Sequence, residues 1–397
     1  MGIDMNLLSL CPYWINPPTG GGPIRVLNIT KELANYFKIK QFCFRPTLTH
    51  GIHIKSNKSI YYNYYQYQVF NPIILLSSFL LYKLNLPPDL LQGNILYYLS
   101  PKLKKEIISS DIIQIEHPWL IPFVKKVAPT KKTALMCHNF EADLFKQEST
   151  YIGKSSQMVF KYIKNIEYHA LNLADYIFVC SKDDENRIKD YYKITREFYY
   201  APNGVDVDYF RPPDKLEKMN AKKKLGLDNK FVIIFTGGIH KPNLEAIEFI
   251  KEIAGELSSF CTIIILGAAG TQYKNSYSDN LIFTGYVKDL RLYYFAADLA
   301  INPLSIGSGT SLKFAEYLSC GLPTISTNIG ARGYEVIDGK HVLLCKRSNI
   351  VECIRLLYNN KNLRKTIGFE GRKLMVQKYS WKKIAKSIAQ VYLNNLA

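Results

Sequence analysis

The chain has 397 residues, of which 47% are hydrophobic and 21% are charged. This composition excludes a disordered tail protein, because enough apolar side chains are present to build real cores. The length predicts about two to three domains, and we expect two of nearly equal size. A formal charge of +18, from 51 basic and 33 acidic residues, favours an anionic partner: nucleic acid, an anionic lipid surface or a phosphorylated small molecule.

The chain shows no sign of membrane insertion or of a disulfide framework. The richest apolar window, residues 72–87, is interrupted by Lys83 and ends in proline, so it does not predict a membrane span. The first residues lack the pattern of a secretory signal, and we expect a cytoplasmic protein. The eight cysteines are far apart and include no Cys-x-x-Cys pair, which predicts reduced thiols.

In the first half, short apolar runs alternate with helix-length amphipathic segments. This alternation predicts βαβ units, parallel sheets and helices on both faces. The predicted strands lie near residues 6–10, 40–44, 112–115, 133–137 and 176–180, and the clearest helices near 31–37 and 157–173. The tyrosine-rich run at 61–67 suits a twisted strand or hairpin, and stacking on bases or sugars is the less favoured alternative.

The chain changes character near Pro212 and Pro213, which block a continuing helix. A second alternating series follows, with predicted strands at 231–236, 262–266, 281–284, 299–302 and 323–326. The fold class is therefore α/β, with two Rossmann-like doubly wound domains facing a central cleft. We predict domains at 1–200 and 201–378 and a final helix at 379–397 that packs back on the first domain. A ligand is expected at the carboxyl ends of strands or in the cleft.

A glycine-rich loop precedes a predicted helix in the second half. Glycines 307 and 309 flank Ser308, and the helix is predicted to begin at or close to Ser311 with Thr310 as its N-cap. Glycines allow a ligand to approach the backbone closely, and the free N–H groups of a first helical turn attract anions. The sequence therefore predicts a phosphate site here.

Lys313 falls in that first turn, where a cation is unfavourable unless an anion such as a diphosphate lies nearby. Glu316 shares its helix face and could accept hydrogen bonds from ribose hydroxyls. The opposite, core-facing stripe is predicted to comprise Leu312, Ala315 and Leu318. The alternative is that Lys313 and Glu316 form a surface ion pair while the glycines make a tight turn.

The whole segment from residue 283 to 335 resembles the signature of retaining sugar-nucleotide glycosyltransferases with the GT-B fold, the group-1 family or glycosyltransferase family 4. Four further pieces match in the expected order along nearly the whole chain: PPTGGGPIR near the start, PNGVD at the domain junction, FTGGIHKPN in the second half, and YSW before the final helix.

The resemblance implies roles for individual residues. Glu316 matches the family's ribose-binding glutamate, Lys313 belongs to its diphosphate cradle, and His138 matches a histidine near the anomeric carbon of the donor sugar. As catalytic residues we therefore name His138, Lys313 and Glu316. The donor-binding residues implied by the match are Gly21 and Gly22 of the loop after the first strand, Gly285, Tyr286 and Val287 beside the base, and Gly307, Ser308, Gly309, Thr310 and Ser311 around the diphosphate.

The sequence departs from the family pattern at several positions. Ser308 stands where the first glutamate of a pair is expected, and Gly238 stands where the family has an arginine. Pro242 and Asn243 replace a Lys-Gly pair, so diphosphate neutralisation falls on Lys313, helped by Lys241 or Arg25. These departures resemble a subgroup of the family and leave the sugar specificity open.

The resulting hypothesis is transfer of a hexose, with retention, from a nucleotide-diphosphate sugar to a hydroxyl of a glycan or lipid-linked glycan. The sugar nucleotide is a co-substrate, and neither a metal nor another cofactor is expected because N–H dipoles and Lys313 would stabilise the leaving group. Further expected partners are an acceptor and an anionic membrane face, contacted through residues 72–87 if they do not form a buried core helix. The alternatives are a nucleotide-sugar epimerase of the same fold and a basic nucleic-acid-binding protein, although we expect no nucleic-acid partner.

Overall fold

The structure, a computed structural model, describes residues 4–18, 20–44, 57–61, 63–84, 86–149, 155–273, 280–307 and 309–394. The chain divides into two compact units. The first comprises Met1–Pro202 together with Ile384–Ala397, and the second comprises Asn203–Lys383. None of the described helices has the length and apolar character needed to cross a membrane.

The first unit is built on an eight-stranded sheet with the strand order β3-β4-β2-β1-β5-β6-β7-β8. All neighbouring strands are parallel except β3 and β4, which form an antiparallel hairpin over the tyrosine-rich run. The central strands are buried along almost their whole length, which explains their continuous apolar sequences. The strands are β1 (Asn6–Cys11), β2 (Lys38–Cys43), β3 (Asn57–Tyr61), β4 (Tyr64–Gln68), β5 (Ile112–Glu116), β6 (Lys132–Met136), β7 (Tyr176–Val179) and β8 (Tyr199–Tyr200).

The helices of the first unit connect these strands and cover the sheet. They are α1 (Gly21–Leu33), α2 (Pro72–Lys83), α3 (Gln92–Leu99), α4 (Pro101–Ser109), α5 (Ile121–Val127), α6 (Glu141–Ser149), α7 (Ser155–Leu173) and α8 (Lys182–Tyr192). The helix predicted at residues 31–37 is wrong in its bounds, because α1 begins ten residues earlier. Its buried side chains include Val26, Ile29 and Leu33, so tertiary packing overrides the low helix propensity of the glycines at its start.

Helix α2 excludes one of the two alternatives for residues 72–87, a buried core helix. Only Ile74, Ser78 and Leu81 of this helix are buried. Leu75 is half-buried, and most of the other apolar side chains face outward, Leu76 among them with 60% of its surface exposed. An apolar helix that is largely exposed is unusual, because apolar side chains gain free energy when they leave water.

The second unit contains a six-stranded, all-parallel sheet with the order β11-β10-β9-β12-β13-β14. Its strands are β9 (Phe231–Thr236), β10 (Cys261–Leu266), β11 (Leu281–Gly285), β12 (Leu299–Asn302), β13 (Thr324–Ser326) and β14 (Leu343–Leu344). Its helices are α9 (Lys215–Lys224), α10 (Lys241–Leu257), α11 (Arg291–Ala296), α12 (Leu312–Ser319), α13 (Ile350–Asn359) and α14 (Lys361–Leu374), followed by a π turn at Met375–Tyr379.

The last helix, α15 (Trp381–Asn394), begins in the second unit, and its residues from Ile384 onward belong to the first. Trp381, Ile384, Ile388 and Tyr392 form its buried stripe. In the first unit the Tyr392 hydroxyl donates a hydrogen bond to Gln114 Oε1 at 3.0 Å. Its ring lies against the rings of three residues, at centroid distances of 5.9, 6.0 and 5.7 Å: Phe37, Tyr176 and Phe178.

Candidate functional site

Three glycines lie at the carboxyl ends of the neighbouring strands β9, β10 and β11, where their backbones approach each other closely. Gly267 adopts a φ of +97°, and a Cβ on it would lie 2.6 Å from the carbonyl oxygen of Gly237. The Gly267 N–H donates to the Gly285 carbonyl oxygen at 2.9 Å. The backbones at this edge of the sheet are therefore packed too closely for a side chain at Gly267. The carboxyl ends of parallel strands are where ligands of such sheets usually bind.

The residues predicted to lie beside the base continue from this edge. Gly285 is buried with a φ of +67°, while the next residue, Tyr286, exposes 82% of its surface. Val287 is half-buried. An exposed aromatic ring beside a glycine turn offers a stacking surface for a planar base.

The glycine loop before α12 is held by an arginine that the sequence analysis missed. Arg332 donates hydrogen bonds to the carbonyl oxygens of Gly307 at 2.8 Å and Gly309 at 3.1 Å. Both glycines have positive φ angles, +139° and +67°, which other residues adopt only with strain. Ser308 lies outside the described residues. The arginine follows directly after the NIGA segment of the family-like block, which was the only sequence signal for it.

The predicted N-cap of the following helix is wrong by one residue. Helix α12 begins at Leu312, and Ser311 occupies the N-cap position without a side-chain capping bond. The Thr310 hydroxyl instead accepts a hydrogen bond from Asn203 Nδ2, and Tyr334 donates to the Ser311 carbonyl oxygen at 3.2 Å. Contacts with distant residues set this loop, so the local capping preference did not decide the helix start.

The core-facing stripe of α12 also differs from the prediction in one position. Ala315 and Leu318 are buried as expected, but Leu312 is only half-buried. Phe314 is fully buried in its place. The buried side of α12 therefore runs through Phe314, Ala315 and Leu318, at spacings of one and three residues.

Lys313 lies in the first turn of α12, half-buried among residues of the same unit. Its ammonium donates to Asn243 Oδ1 at 2.6 Å and lies 4.2 Å from the centroid of the Phe235 ring. Desolvation lowers the pKa of Lys313 to about 7, although the nearby Glu316 charge opposes this shift. The alternative of a surface ion pair is therefore not what the structure shows, since the lysine bonds to Asn243 and not to Glu316.

Glu316 lies one turn further along the same helix. Its Oε2 accepts a hydrogen bond from the Tyr294 hydroxyl at 2.8 Å, and the Tyr294 oxygen is 3.2 Å from Thr236 Oγ1 at the end of β9. Burial raises the pKa of Glu316, while the Tyr294 bond and the Lys313 charge act in the opposite direction. Tyr294, another residue missed by the sequence analysis, thus orients one carboxylate oxygen; in the described part of the chain nothing donates to the other.

Asn243 connects the loop after β9 with Lys313. Its Nδ2 donates to the Gly238 carbonyl oxygen at 2.9 Å, while its Oδ1 accepts from the lysine. The two residues that depart from the family pattern, Gly238 and Asn243, are therefore joined by a hydrogen bond. Arg25, expected to help Lys313, is instead engaged in the first unit, where it donates to the carbonyl oxygens of Ala201 and Pro202 at 2.5 and 2.8 Å.

A second cluster lies in the first unit, around His138 after β6. His138 Nε2 is 2.7 Å from Glu116 Oε2 at the end of β5, and Gln114 Nε2 donates to the other oxygen of Glu116 at 2.7 Å. Burial lowers the pKa of His138 to about 4. For Glu116, burial acts to raise the pKa, but the hydrogen bonds from His138 and Gln114 outweigh it and the pKa is lowered.

A neutral His138 facing an ionised Glu116 carries its proton on Nε2, which leaves Nδ1 as a hydrogen-bond acceptor. Nδ1 lies 3.8 Å from where a Cβ on Gly22 would be. Two predicted site residues, Gly22 and His138, are therefore neighbours. Gly21 lies in the same first turn of α1 and is exposed.

His117, which stacks on His138 with a centroid distance of 4.7 Å, completes the cluster. Its Nδ1 is 3.1 Å from Glu141 Oε1. Burial acts to lower its pKa, but the bond to Glu141 prevails and the pKa of His117 is raised. The backbone φ of +88° at His117 is strained for a residue with a side chain, a feature that often marks functional positions.

Within the described ranges, no group of three or more His, Cys, Asp or Glu side chains is placed to hold a metal ion. One Asp-x-Asp triplet occurs, at Asp206 and Asp208. The Asp206 carboxylate accepts hydrogen bonds from the backbone N–H groups of Asp208 and Tyr209 at 3.1 and 2.9 Å. The first aspartate of this triplet therefore serves a local turn.

Comparison with known families and proteins gives consistent matches along the chain. A model described as Glycosyltransferase Family 4 matches residues 19–209, and a model described as Glycosyl transferases group 1 matches residues 230–360. An uncharacterized glycosyltransferase of Methanocaldococcus jannaschii is 36% identical over 22% of this chain and 26% of its own length. The capsular polysaccharide biosynthesis glycosyltransferase CapM of Staphylococcus aureus is 25% identical over 50% of this chain and 55% of its own length. The matched regions thus span about half or less of these curated relatives.

Solved structures extend the likeness to the whole chain. Sucrose-phosphate synthase from Thermosynechococcus elongatus has a TM-score of 0.71 at 15% identity, covering 98% of this chain and 99% of that one. Anabaena HepE in complex with UDP has a TM-score of 0.69 at 14% identity, covering 98% of this chain and 100% of that one. At this identity the likeness shows the fold, and the family models supply the relationship. The chain has the GT-B fold and belongs to the group-1, family 4 glycosyltransferases.

Proposed function

We propose that the protein is a retaining glycosyltransferase that moves a hexose from a nucleotide-diphosphate sugar to a hydroxyl of a glycan or lipid-linked glycan. The proposal rests above all on Lys313 and Glu316, which lie one turn apart at the start of α12, directly after a glycine loop fixed by Arg332. Burial lowers the pKa of the Lys313 amine to about 7, so protonating this amine costs free energy in the protein without a ligand. A bound diphosphate would supply the anion that this position lacks.

Each part of the donor has a candidate partner in the second unit. Lys313 and the backbone of residues 307–311 would bind the diphosphate, and Glu316 would accept hydrogen bonds from the ribose hydroxyls. Tyr286 and its neighbours Gly285 and Val287 would contact the base. The UDP complex of HepE supports a nucleotide donor, and the role of CapM in capsular polysaccharide biosynthesis supports a glycan acceptor.

The chemistry requires stabilisation of the departing nucleotide diphosphate, on which negative charge grows as the glycosidic bond breaks. Fixed N–H dipoles at the start of α12 and the Lys313 ammonium would act on that charge, so no metal is required. In the first unit, His138 Nδ1 would accept a hydrogen bond from a hydroxyl of the donor sugar. Burial would keep the imidazole neutral, and Glu116 would fix its proton on Nε2, which leaves Nδ1 to accept this bond. We place the reaction in the cytoplasm, at its membrane face when the acceptor is lipid-linked.

The donor site is tested by calorimetric titration of UDP, GDP, ADP and their glucose conjugates in the presence of EDTA. We expect one base to bind, and Lys313→Ala and Glu316→Gln each to weaken binding by about ten-fold or more, because each variant loses a charged hydrogen-bonding group. Lys365→Ala, at an exposed lysine of α14, is the matched control and should bind like the wild type. Binding of no nucleotide, or wild-type binding by both site variants, would show that the donor site is wrongly assigned.

The stereochemical outcome of the reaction is tested separately, with the donor that binds. NMR should show that the first anomer of the sugar released by slow hydrolysis has the configuration of the donor. The opposite anomer would contradict retention. Conversion of the donor sugar into its epimer without release would favour an epimerase instead.

A further inference from the structure

Helix α2 presents an apolar face that the described residues leave uncovered. Ile73, Leu76, Phe79 and Leu80 have exposed fractions of 51%, 60%, 46% and 54%, and Leu84 just after the helix has 62%. At 100° per residue Leu76, Phe79 and Leu80 lie on the side opposite the buried Ile74, Ser78 and Leu81, and Ile73 and Leu84 lie at its margin. The exposure therefore follows one continuous side of the helix, which we call the α2 face.

Neighbouring elements extend the apolar surface. Helix α3, which packs against α2, exposes 74% of Tyr98. The hairpin that directly precedes α2 exposes Ile60 at 72% and Tyr65 at 43%. A large exposed apolar surface marks an interaction site more often than plain surface, and α2 with Leu84 alone supplies five such side chains.

The charges of the segment that contains α2 are mostly positive. Residues 57–109 contain five lysines and two acidic residues, of which Asp89 is buried and Glu106 pairs with Lys40 at 2.7 Å. Several of the lysines, together with Lys126 of α5, lie over aromatic rings of the same region. These pairs are Lys58 over Tyr65 at 4.6 Å, Lys83 over Phe79 at 5.5 Å, Lys104 over Tyr97 at 4.3 Å and Lys126 over Tyr97 at 3.9 Å.

We propose that the α2 face docks the protein on an anionic lipid bilayer. The 12 residues of α2 are too few to cross the hydrocarbon core, so the helix would lie in the interface plane with its apolar side chains inserted and the lysines at headgroup level. A second copy of the chain fits less well, since symmetric pairing would bring two lysine-rich surfaces together. The inference rests on a surface separate from the donor site, so failure of nucleotide binding would leave it standing.

The test is flotation of the full chain with vesicles of phosphatidylcholine alone and with about 30% phosphatidylglycerol. We expect binding to the anionic vesicles that weakens as NaCl is raised, because the lysines act through screened charge. The double variant Leu76→Gln/Leu80→Gln should lower the partition coefficient by about ten-fold or more, since two inserted side chains are lost. Lys83→Gln/Lys102→Gln should lower binding to anionic vesicles only.

Matched controls are Leu216→Gln on α9, whose leucine is 60% exposed, and Lys365→Gln on α14; both should bind vesicles like the wild type. Because all of these side chains are exposed, thermal unfolding should be unchanged, which separates lost docking from misfolding. Absence of wild-type binding to anionic vesicles, or full binding by the leucine double variant, would overturn the proposal. So would a wild-type dimer in sedimentation velocity that the leucine variant converts to monomer.

Discussion

At the scale of single residues, the sequence predicted the two ionisable groups of the proposed donor site but not the groups that contact them. Lys313 and Glu316 share one helix, so their spacing alone places them on one face. Asn243, which accepts the lysine hydrogen bond, is 70 residues away, and Tyr294 is 22 residues from Glu316. Only the tertiary fold brings Asn243 of α10 and Tyr294 of α11 to α12, and no local pattern contains that information.

The lowered pKa of Lys313 predicts that donor binding takes up a proton. The free lysine, with a pKa of about 7, is mostly neutral at pH 8, and a bound diphosphate would raise its pKa and protonate it. Affinity should therefore fall as pH rises above 7. Calorimetry in buffers of different ionisation enthalpy measures this uptake directly.

Lys313→Arg is the control for proton uptake, because arginine stays charged at these pH values. This variant should bind without uptake between pH 7 and 9, a window of about two units above the lysine pKa. If the wild type gave the same binding heat in every buffer at pH 8, the lysine would have no part in donor binding.

At the scale of helices and strands, apolar periodicity located the long central strands within a few residues. The predictions fail for elements whose bounds or existence depend on tertiary contacts. Helix α1 starts at two glycines that no propensity scale favours, and β8 and β14 have two residues each, so they exist as strands only because a neighbouring strand pairs with them. The tyrosine-rich hairpin was predicted because its alternation is local.

The glycine contacts at the ends of β9 and β10 lead to a stability prediction. Gly267→Ala should destabilise the second unit, since its Cβ would meet the Gly237 carbonyl oxygen at 2.6 Å. Gly226→Ala is the matched control, because Gly226 also has a positive φ, +67°, but has no atom within 4 Å of the added Cβ. Urea unfolding should show a loss about 1–3 kcal/mol larger for the first variant. Equal losses would mean that backbone strain alone, and not the close approach, constrains Gly267.

At the scale of the whole molecule, the two alternating series in the sequence predicted two α/β sheets, because each series carries its own strands and helices. The order of strands within each sheet was not predicted, since any parallel order satisfies the same local pattern. The final helix shows the same limit: its apolar stripe predicted a partner surface, but the tyrosine and phenylalanine rings around Tyr392 come from two separate parts of the chain, Phe37 after α1 and Tyr176 and Phe178 of β7.

Tyr392 should be a major contributor to the stability of the first unit. Tyr392→Ala removes a fully buried ring and its hydrogen bond to Gln114, for which we expect a loss of about 3–5 kcal/mol in the free energy of unfolding. Gln390→Ala, at an exposed position of the same helix, should be nearly neutral. Thermal and urea unfolding of both variants check the difference, and a loss below about 1 kcal/mol for Tyr392→Ala would contradict the packing described.

Because Ile384–Ala397 belongs to the same unit as Met1–Pro202, the second unit is an insertion within the first. A ribosome therefore completes the entire inserted segment before it supplies the last piece of the unit it began with. Until then the nascent first unit exposes the aromatic rings that later pack against Tyr392. Exposed rings of this kind favour aggregation with other chains unless a chaperone binds them or folding is fast. Loss of residues 384–394 would thus damage the part of the protein that was translated earliest.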